Sequence, residues 1–98
     1  MANKIRISIQ AKNDLEDTIA YTSRRWSNKK AKEYIVEIRY ALGLLYSNPN
    51  LVKSINDTVM NARFFNINSH TIYYNLDEES NIYIDRILHK NSNYLSSF

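Results

Sequence analysis

Between Asn61 and Lys90 the chain reads NARFFNINSHTIYYNLDEESNIYIDRILHK. Three runs rich in β-branched and aromatic residues are divided by Asn68-Ser69 and by the Asp77-Glu78-Glu79-Ser80 turn, the pattern of an antiparallel meander. Polar and basic side chains (Arg63, His70, Arg86, His89, Lys90) are threaded through these runs, where a purely structural sheet more often carries Thr or Ser. The rest of the chain reads as a helical support for this sheet.

Upstream, Ile5, Ile7 and Ile9 alternate with Lys4, Arg6 and Ser8, which predicts a short strand over 4–9 with one buried face. Ser8 is a cap-type residue ahead of a helix in which Ala11, Leu15 and Ile19 recur every fourth position, Thr22 and Trp26 continuing the same face. Ser27 and Asn28 start a second helix with an apolar stripe of Ala31, Tyr34, Ile35, Ile38, Ala41, Leu42 and Leu45. Asn48-Pro49-Asn50 ends it, because proline neither donates the next hydrogen bond nor leaves its predecessor helical. So short a connection makes the helices an antiparallel hairpin. Gly43 inside the second helix suggests a close approach to a neighbouring element, and 51–58 reads as a loop into the meander. The sum is a single α+β domain over 1–98, ordered β-α-α-β-β-β, with the hairpin on one face of a small, mainly antiparallel sheet.

With 98 residues, one glycine and one proline, there is material for one modest core and for no long linker or repeat array. No apolar run approaches a membrane span and no charged-then-apolar leader opens the chain. Zero cysteines exclude disulfides and thiolate metal sites and fit a reducing cytoplasm; the expected location is cytoplasmic. The net charge of +3 is mild but uneven: Arg24, Arg25, Lys29, Lys30, Lys32 and Arg39 fall in one stretch. Such a stretch suits an acidic protein partner or a nucleic-acid backbone, or is simply a solvated helix face.

Two histidines far apart in sequence make a poor metal set, and neither a Gly-rich phosphate loop nor a serine-nucleophile motif is present. The surviving catalytic option is phosphodiester cleavage by 2′-hydroxyl attack, which needs a proton acceptor, a donor and cations on the developing charge. Arg63, His89, Lys90 and Tyr94 could supply these. Strand parity puts His70 beside Ile72, Tyr74 and Leu76, as a packed histidine, and Arg86 beside Ile82, Ile84 and Leu88, as either a contact or an ion-pair residue. His89 and Lys90, at a strand end, are better placed to meet something external.

In order and spacing these pieces resemble the bacterial toxins of the RelE/ParE superfamily, and within it the ParE branch. Ser8-Ile-Gln-Ala11-Lys-Asn-Asp14-Leu15 is similar to the family's Ser-x-x-Ala-x-x-Asp-Leu-x-x-Ile opening, with Ile19 one position beyond its Ile; Tyr21 and Trp26 follow in place; Leu44-Leu45 to Asn48-Pro49 resembles its helix exit. The run Arg63 to His70 resembles Arg-x-Phe-x-Val-Gly-Ser-Tyr/His, and Arg86-Ile87-Leu88-His89 its Arg-Val/Ile-Leu-His ending. The resemblance implies the toxin of a type II toxin–antitoxin (plasmid stabilisation) system. The ParE branch inhibits DNA gyrase by binding; the RelE branch cuts mRNA on the ribosome. In the nuclease members an Arg precedes the third-strand Leu/Val-Val/Ile-Tyr, and here Thr71 stands in that place. Threonine brings no positive charge to an anionic transition state. The tail Lys90-Asn91-Ser92-Asn93 also departs from the ParE Gly-Arg-x-Asp.

The expectation is therefore a non-catalytic gyrase inhibitor needing no cofactor and no metal, with a ribosome-dependent endonuclease using Arg63, His89, Lys90 and Tyr94 as the alternative. Target contacts are expected at Arg63, Arg86, His89, Lys90 and Tyr94. A cognate antitoxin, ParD-like or other, is expected at Arg24, Arg25, Trp26, Lys30, Tyr34, Arg39 and Tyr40, with direct nucleic-acid and membrane binding not expected. A homodimer and a hetero-oligomer with the antitoxin both stay open.

Overall fold

Ile5 and Ile7 enter the core from a strand so short that the next four residues already begin a helix. In the computed structural model β1 spans Lys4–Ile7, α1 Ile9–Arg25, α2 Asn28–Ser47, β2 Ser54–Asn56, β3 Val59–Ile67, β4 His70–Leu76 and β5 Asn81–His89. The structure describes residues 2–50, 54–56 and 59–89, with the backbone alone for 54–56 and 59–62. The five strands form one sheet in the order β1-β5-β4-β3-β2. β1 runs parallel to β5, with Ile5 opposite Ile82 and Ile7 opposite Ile84, and the other pairs are antiparallel. The α+β layout with a helical hairpin over a mainly antiparallel sheet is thus as the sequence implies.

Capping fixes both helix starts. Ser8 Oγ accepts the Ala11 N–H at 2.9 Å and donates to the Asp85 carbonyl at 2.7 Å, so one hydroxyl ties α1 to β5. Ser27 Oγ accepts the Lys30 N–H at 3.1 Å, and Trp26-Ser27 is the whole connection between the helices. Asn68 (φ 50°) turns β3 into β4, and Ser80 (φ 63°) stands just before β5; both lie in the left-handed region, which Asn tolerates well and Ser less so. Asp77 Oδ1 accepts the N–H groups of Glu79 and Asn81 at 2.9 Å each, closing the second turn. Those N–H bonds, Asn81's first, hold its carboxyl below the ordinary carboxylate range.

The core lies between the hairpin and one sheet face: Ala11 from α1, Tyr34, Ile38, Ala41 and Leu45 from α2, Ile72, Tyr74 and Leu76 from β4, Ile82, Ile84 and Ile87 from β5. Leu15, Ile19 and Leu42 pack at its margin.

Several expectations need correction. Ile9 is the first residue of α1 and largely exposed, because Ser8 ends the strand by capping. β2 lies inside the stretch read as a loop; three residues, Ser-Ile-Asn, carry no alternation to detect. Among the described residues a Cβ on Gly43 would meet nothing within 4 Å, so no close approach of theirs accounts for that glycine. Trp26, read as continuing the face of Ala11, Leu15 and Ile19, is exposed, and of the helical aromatics Tyr34 alone among the described residues is in the core. Strict alternation also fails in β5. Tyr74 faces Ile84 while Tyr73 faces Arg86, so Asp85 is an extra residue and the parity reverses there. Ile87, expected on the opposite side from Ile82 and Ile84, joins them in the core.

Candidate functional site

The bulge at Asp85 decides where the basic residues of β5 end up. Beyond Ile84, β1 has already turned into α1, and Asp14 of α1 meets that flank of β5. Its Oδ2 accepts the Ile87 N–H at 3.0 Å. Arg86 closes on the same carboxylate in bidentate fashion, Nε to Oδ2 at 2.8 Å and Nη2 to Oδ1 at 2.9 Å. The two side chains are 32% and 12% exposed. Of the two roles left open for Arg86, the fold builds the ion pair, with Nε and Nη2 of its guanidinium engaged by Asp14. Asp14, named in the sequence only as part of the Ser8–Leu15 motif, is the partner 72 positions away, and only charge complementarity could have hinted at it.

The second group gathers where β4 begins and β5 ends. His70 faces His89 across the ladder, the rings 5.6 Å apart and nearly perpendicular. The His70 ring lies 4.7 Å from that of Tyr34. His70 is thus packed, as expected; burial, then the neighbouring His89, hold its pKa below the ordinary histidine value. His89 remains exposed. Tyr34 is only 7% exposed, so it does not project as an anchor and presents only an edge of its ring to a cleft. Its hydroxyl is buried and leans toward Thr18 without a well-formed hydrogen bond. Burial above all pushes its pKa up to about 12.

Arg63 stands opposite Tyr74, which faces Ile84, whereas His89 is level with His70. Four residues of strand, about 13 Å, separate the two along the sheet, and Arg63 is half-buried on the helix-side face. The fold does not bring the expected nuclease pair together. Lys90 and Tyr94 lie outside the described residues. Thr71, at the position that distinguishes the nucleases, is 5% exposed, and its hydroxyl donates to Asn66 Oδ1 at 2.7 Å. Among the described residues no group of three His, Cys, Asp or Glu could hold a metal ion, and no helix is long and apolar enough to cross a membrane.

The helical layer presents two surfaces. Lys29, Lys32, Val36, Arg39, Tyr40 and Gly43 recur at three- and four-residue spacing and face away from the sheet, with Val36 and Tyr40 each 64% exposed. This is an apolar stripe edged by cations. Arg24 and Arg25 are exposed at the end of α1. Trp26, 69% exposed, and Lys30 belong instead to a cleft of about 420 Å³ between the hairpin connection and the β3–β4 turn. The expected antitoxin residues therefore divide between an outer face and a cleft, with Tyr34 forming part of the cleft's lining.

A strand, a two-helix hairpin and an antiparallel sheet closing back on the first strand make the fold shared by small toxins of toxin–antitoxin operons. The structure superposes on the chromosomal ParDE toxin–antitoxin system of P. aeruginosa with a TM-score of 0.73 (16% identity, 88% of this chain and 94% of that one). It also matches the RelBE2 toxin–antitoxin complex of Mycobacterium tuberculosis with a TM-score of 0.63 (16% identity, 92% and 100%). The chain belongs to the family of ParE toxins of type II toxin–antitoxin systems, parDE, whose model matches residues 5–94. It is 27% identical over 90 residues to Toxin ParE1 of Mycobacterium tuberculosis (92% of each chain) and 26% identical over 88 residues to Toxin ParE1 of Caulobacter vibrioides (90% of each).

Proposed function

We propose that this ParE-family toxin acts by binding DNA gyrase, without catalysis, and is silenced by a ParD-like antitoxin that lies along α2. The observation that carries the non-catalytic reading is Thr71. A residue at the phosphate-clamping position is buried and its hydroxyl already engaged by Asn66, so it offers nothing to a transition state that needs preorganised positive charge. Two further arrangements support it: Arg86 is bound by Asp14, and Arg63 and His89 stand about 13 Å apart along the strands. Target contact falls to His89, with Lys90 and Tyr94 following it in sequence.

For the antitoxin, the outer face of α2 has what an amphipathic segment needs. Val36 and Tyr40 offer apolar contact, and Lys29, Lys32 and Arg39 flank them for acidic side chains. The test is gyrase supercoiling in vitro. Purified toxin at micromolar concentration is expected to stop it, and equimolar antitoxin to restore it. Unimpeded supercoiling, or transcripts cut within codons when the toxin is added to translating ribosomes, would replace this reading with the nuclease one.

A further inference from the structure

We infer that the cleft between the hairpin connection and the β3–β4 turn receives an arginine side chain from the protein partner that covers α2. This deepens the antitoxin half of the proposed function and rests on it for the partner's identity. The cleft's chemistry stands by itself.

Three aromatic rings form it: Tyr34 and His70 lie together with centroids 4.7 Å apart, and Trp26 is 69% exposed beside them. Burial of His70, and His89 next to it, favour the uncharged imidazole, so the ring adds a face and not a positive charge. Glu33 and Glu37 complete the lining with Lys30. Lys30 is drawn to Glu33, Nζ to Oε2 at 3.4 Å. Glu37 has no hydrogen bond or ion pair among the described residues, and its charge is felt by both Tyr34 and His70. A carboxylate without a partner among the described residues, beside two rings tilted at 49° to each other, in a chain of net charge +3, is complementary to a planar cation. Guanidinium stacks on aromatic faces while its edge pairs with a carboxylate, which a compact ammonium does less well. At about 420 Å³ the space falls in the range of clefts that hold a side chain or small ligand.

Position supplies the link to the partner. Glu33 and Glu37 border the cleft and also the shallow hollow beside Lys29, Lys32 and Val36 on the outer face. A segment lying on Val36 and Tyr40, with its acidic residues toward the lysines, therefore has only this two-glutamate ridge to cross before a side chain drops onto Trp26.

Trp26 is the only tryptophan of the chain, so its fluorescence reports occupancy. The experiment titrates the purified toxin with a capped Ala-Arg-Ala peptide, the same peptide carrying uncharged citrulline, and capped Ala-Glu-Ala. Nuclear magnetic resonance shifts of the Tyr34 and His70 rings provide a second readout. The arginine peptide is expected to saturate near millimolar concentration, citrulline to bind about tenfold or more weakly, and Glu37→Gln to weaken the arginine peptide by a similar factor with an unchanged melting temperature. Preference for arginine would run against the net positive field of the protein, so it cannot come from general attraction. Equal binding of arginine and citrulline, tighter binding of the glutamate peptide, indifference to Glu37→Gln, or no saturable change by about 10 mM would each overturn the inference. The gyrase assay involves none of these peptides, so either idea can fail alone.

Discussion

Arg86 and Asp14 hold each other by two parallel N–H···O contacts of 2.8 and 2.9 Å, pinning the first helix to the last strand. Because Asp14 also accepts the Ile87 N–H, one carboxylate orients a side chain and satisfies a backbone group on the flank of β5 that β1 no longer covers.

Removing Arg86 leaves a mostly buried carboxylate with that single N–H. Arg86→Ala is expected to cost about 1.5–3 kcal/mol in a urea melt, as for a lost hydrogen-bonded charge partner that keeps some solvent access. The Asp14→Ala and Arg86→Ala double-mutant cycle should show coupling near 1 kcal/mol or more. An Arg86→Ala protein of native stability that no longer inhibits gyrase would instead make Arg86 a target contact.

The two faces of α2 should separate stability from binding. Leu45, fully buried, is expected to lose about 2–5 kcal/mol on truncation to Ala. Leu42, at the margin of the core, should fall at or below the bottom of that range. Tyr40→Ala should change stability by less than about 0.5 kcal/mol yet weaken antitoxin binding by about 2 kcal/mol, as an exposed aromatic anchor does. Calorimetric titration beside thermal melts measures both.

Gly43 sits in mid-helix with open space where a Cβ would be. Gly43→Ala is expected to stabilise the fold by about 1 kcal/mol. If the antitoxin follows the Val36–Tyr40 stripe, Gly43→Arg should weaken binding while the free toxin melts no earlier than wild type.

Two titrations bend the stability curve in opposite directions. The folded state holds His70 below its unfolded pKa of about 6.5, so the unfolded chain takes up the proton first. Stability is then flat above that pH and falls as pH drops from 6.5 toward the folded value; His70→Gln should remove that slope. Tyr34 is raised to about 12, so the unfolded chain loses its proton first and stability falls as pH climbs from about 10 to 12. Tyr34→Phe should abolish the alkaline loss. At neutral pH it should be close to neutral, because the buried hydroxyl makes no well-formed hydrogen bond.

Local chemistry was enough to read the helices and the last two strands. Ser8 and Ser27 cap where they were expected to, Pro49 follows the end of α2, and the Asn68 and Asp77 turns divide the meander. These features act within a few residues, so they are written in consecutive letters. The missed strand β2 is equally local but too short to carry a period. Helical spacing was weaker evidence. It placed Ala31, Tyr34, Ile38 and Leu45 on the buried stripe and left exposed Tyr40 off it, but carried the face of α1 on to Trp26, which the end of that helix leaves exposed.

From its letters alone, then, this chain declares a hairpin of two capped helices on a mainly antiparallel sheet and its kinship with ParE toxins. Contacts between distant residues decided the rest. One extra residue at Asp85 reversed the parity of β5, put Ile87 in the core and left Arg86 to Asp14; the packing of α2 on β4 brought Tyr34 onto His70 and opened a cleft beside Trp26. A bulge and a crossing helix are settled by which arrangement buries the most apolar surface while keeping buried charges such as Asp14 partnered, and that comparison involves the whole molecule at once.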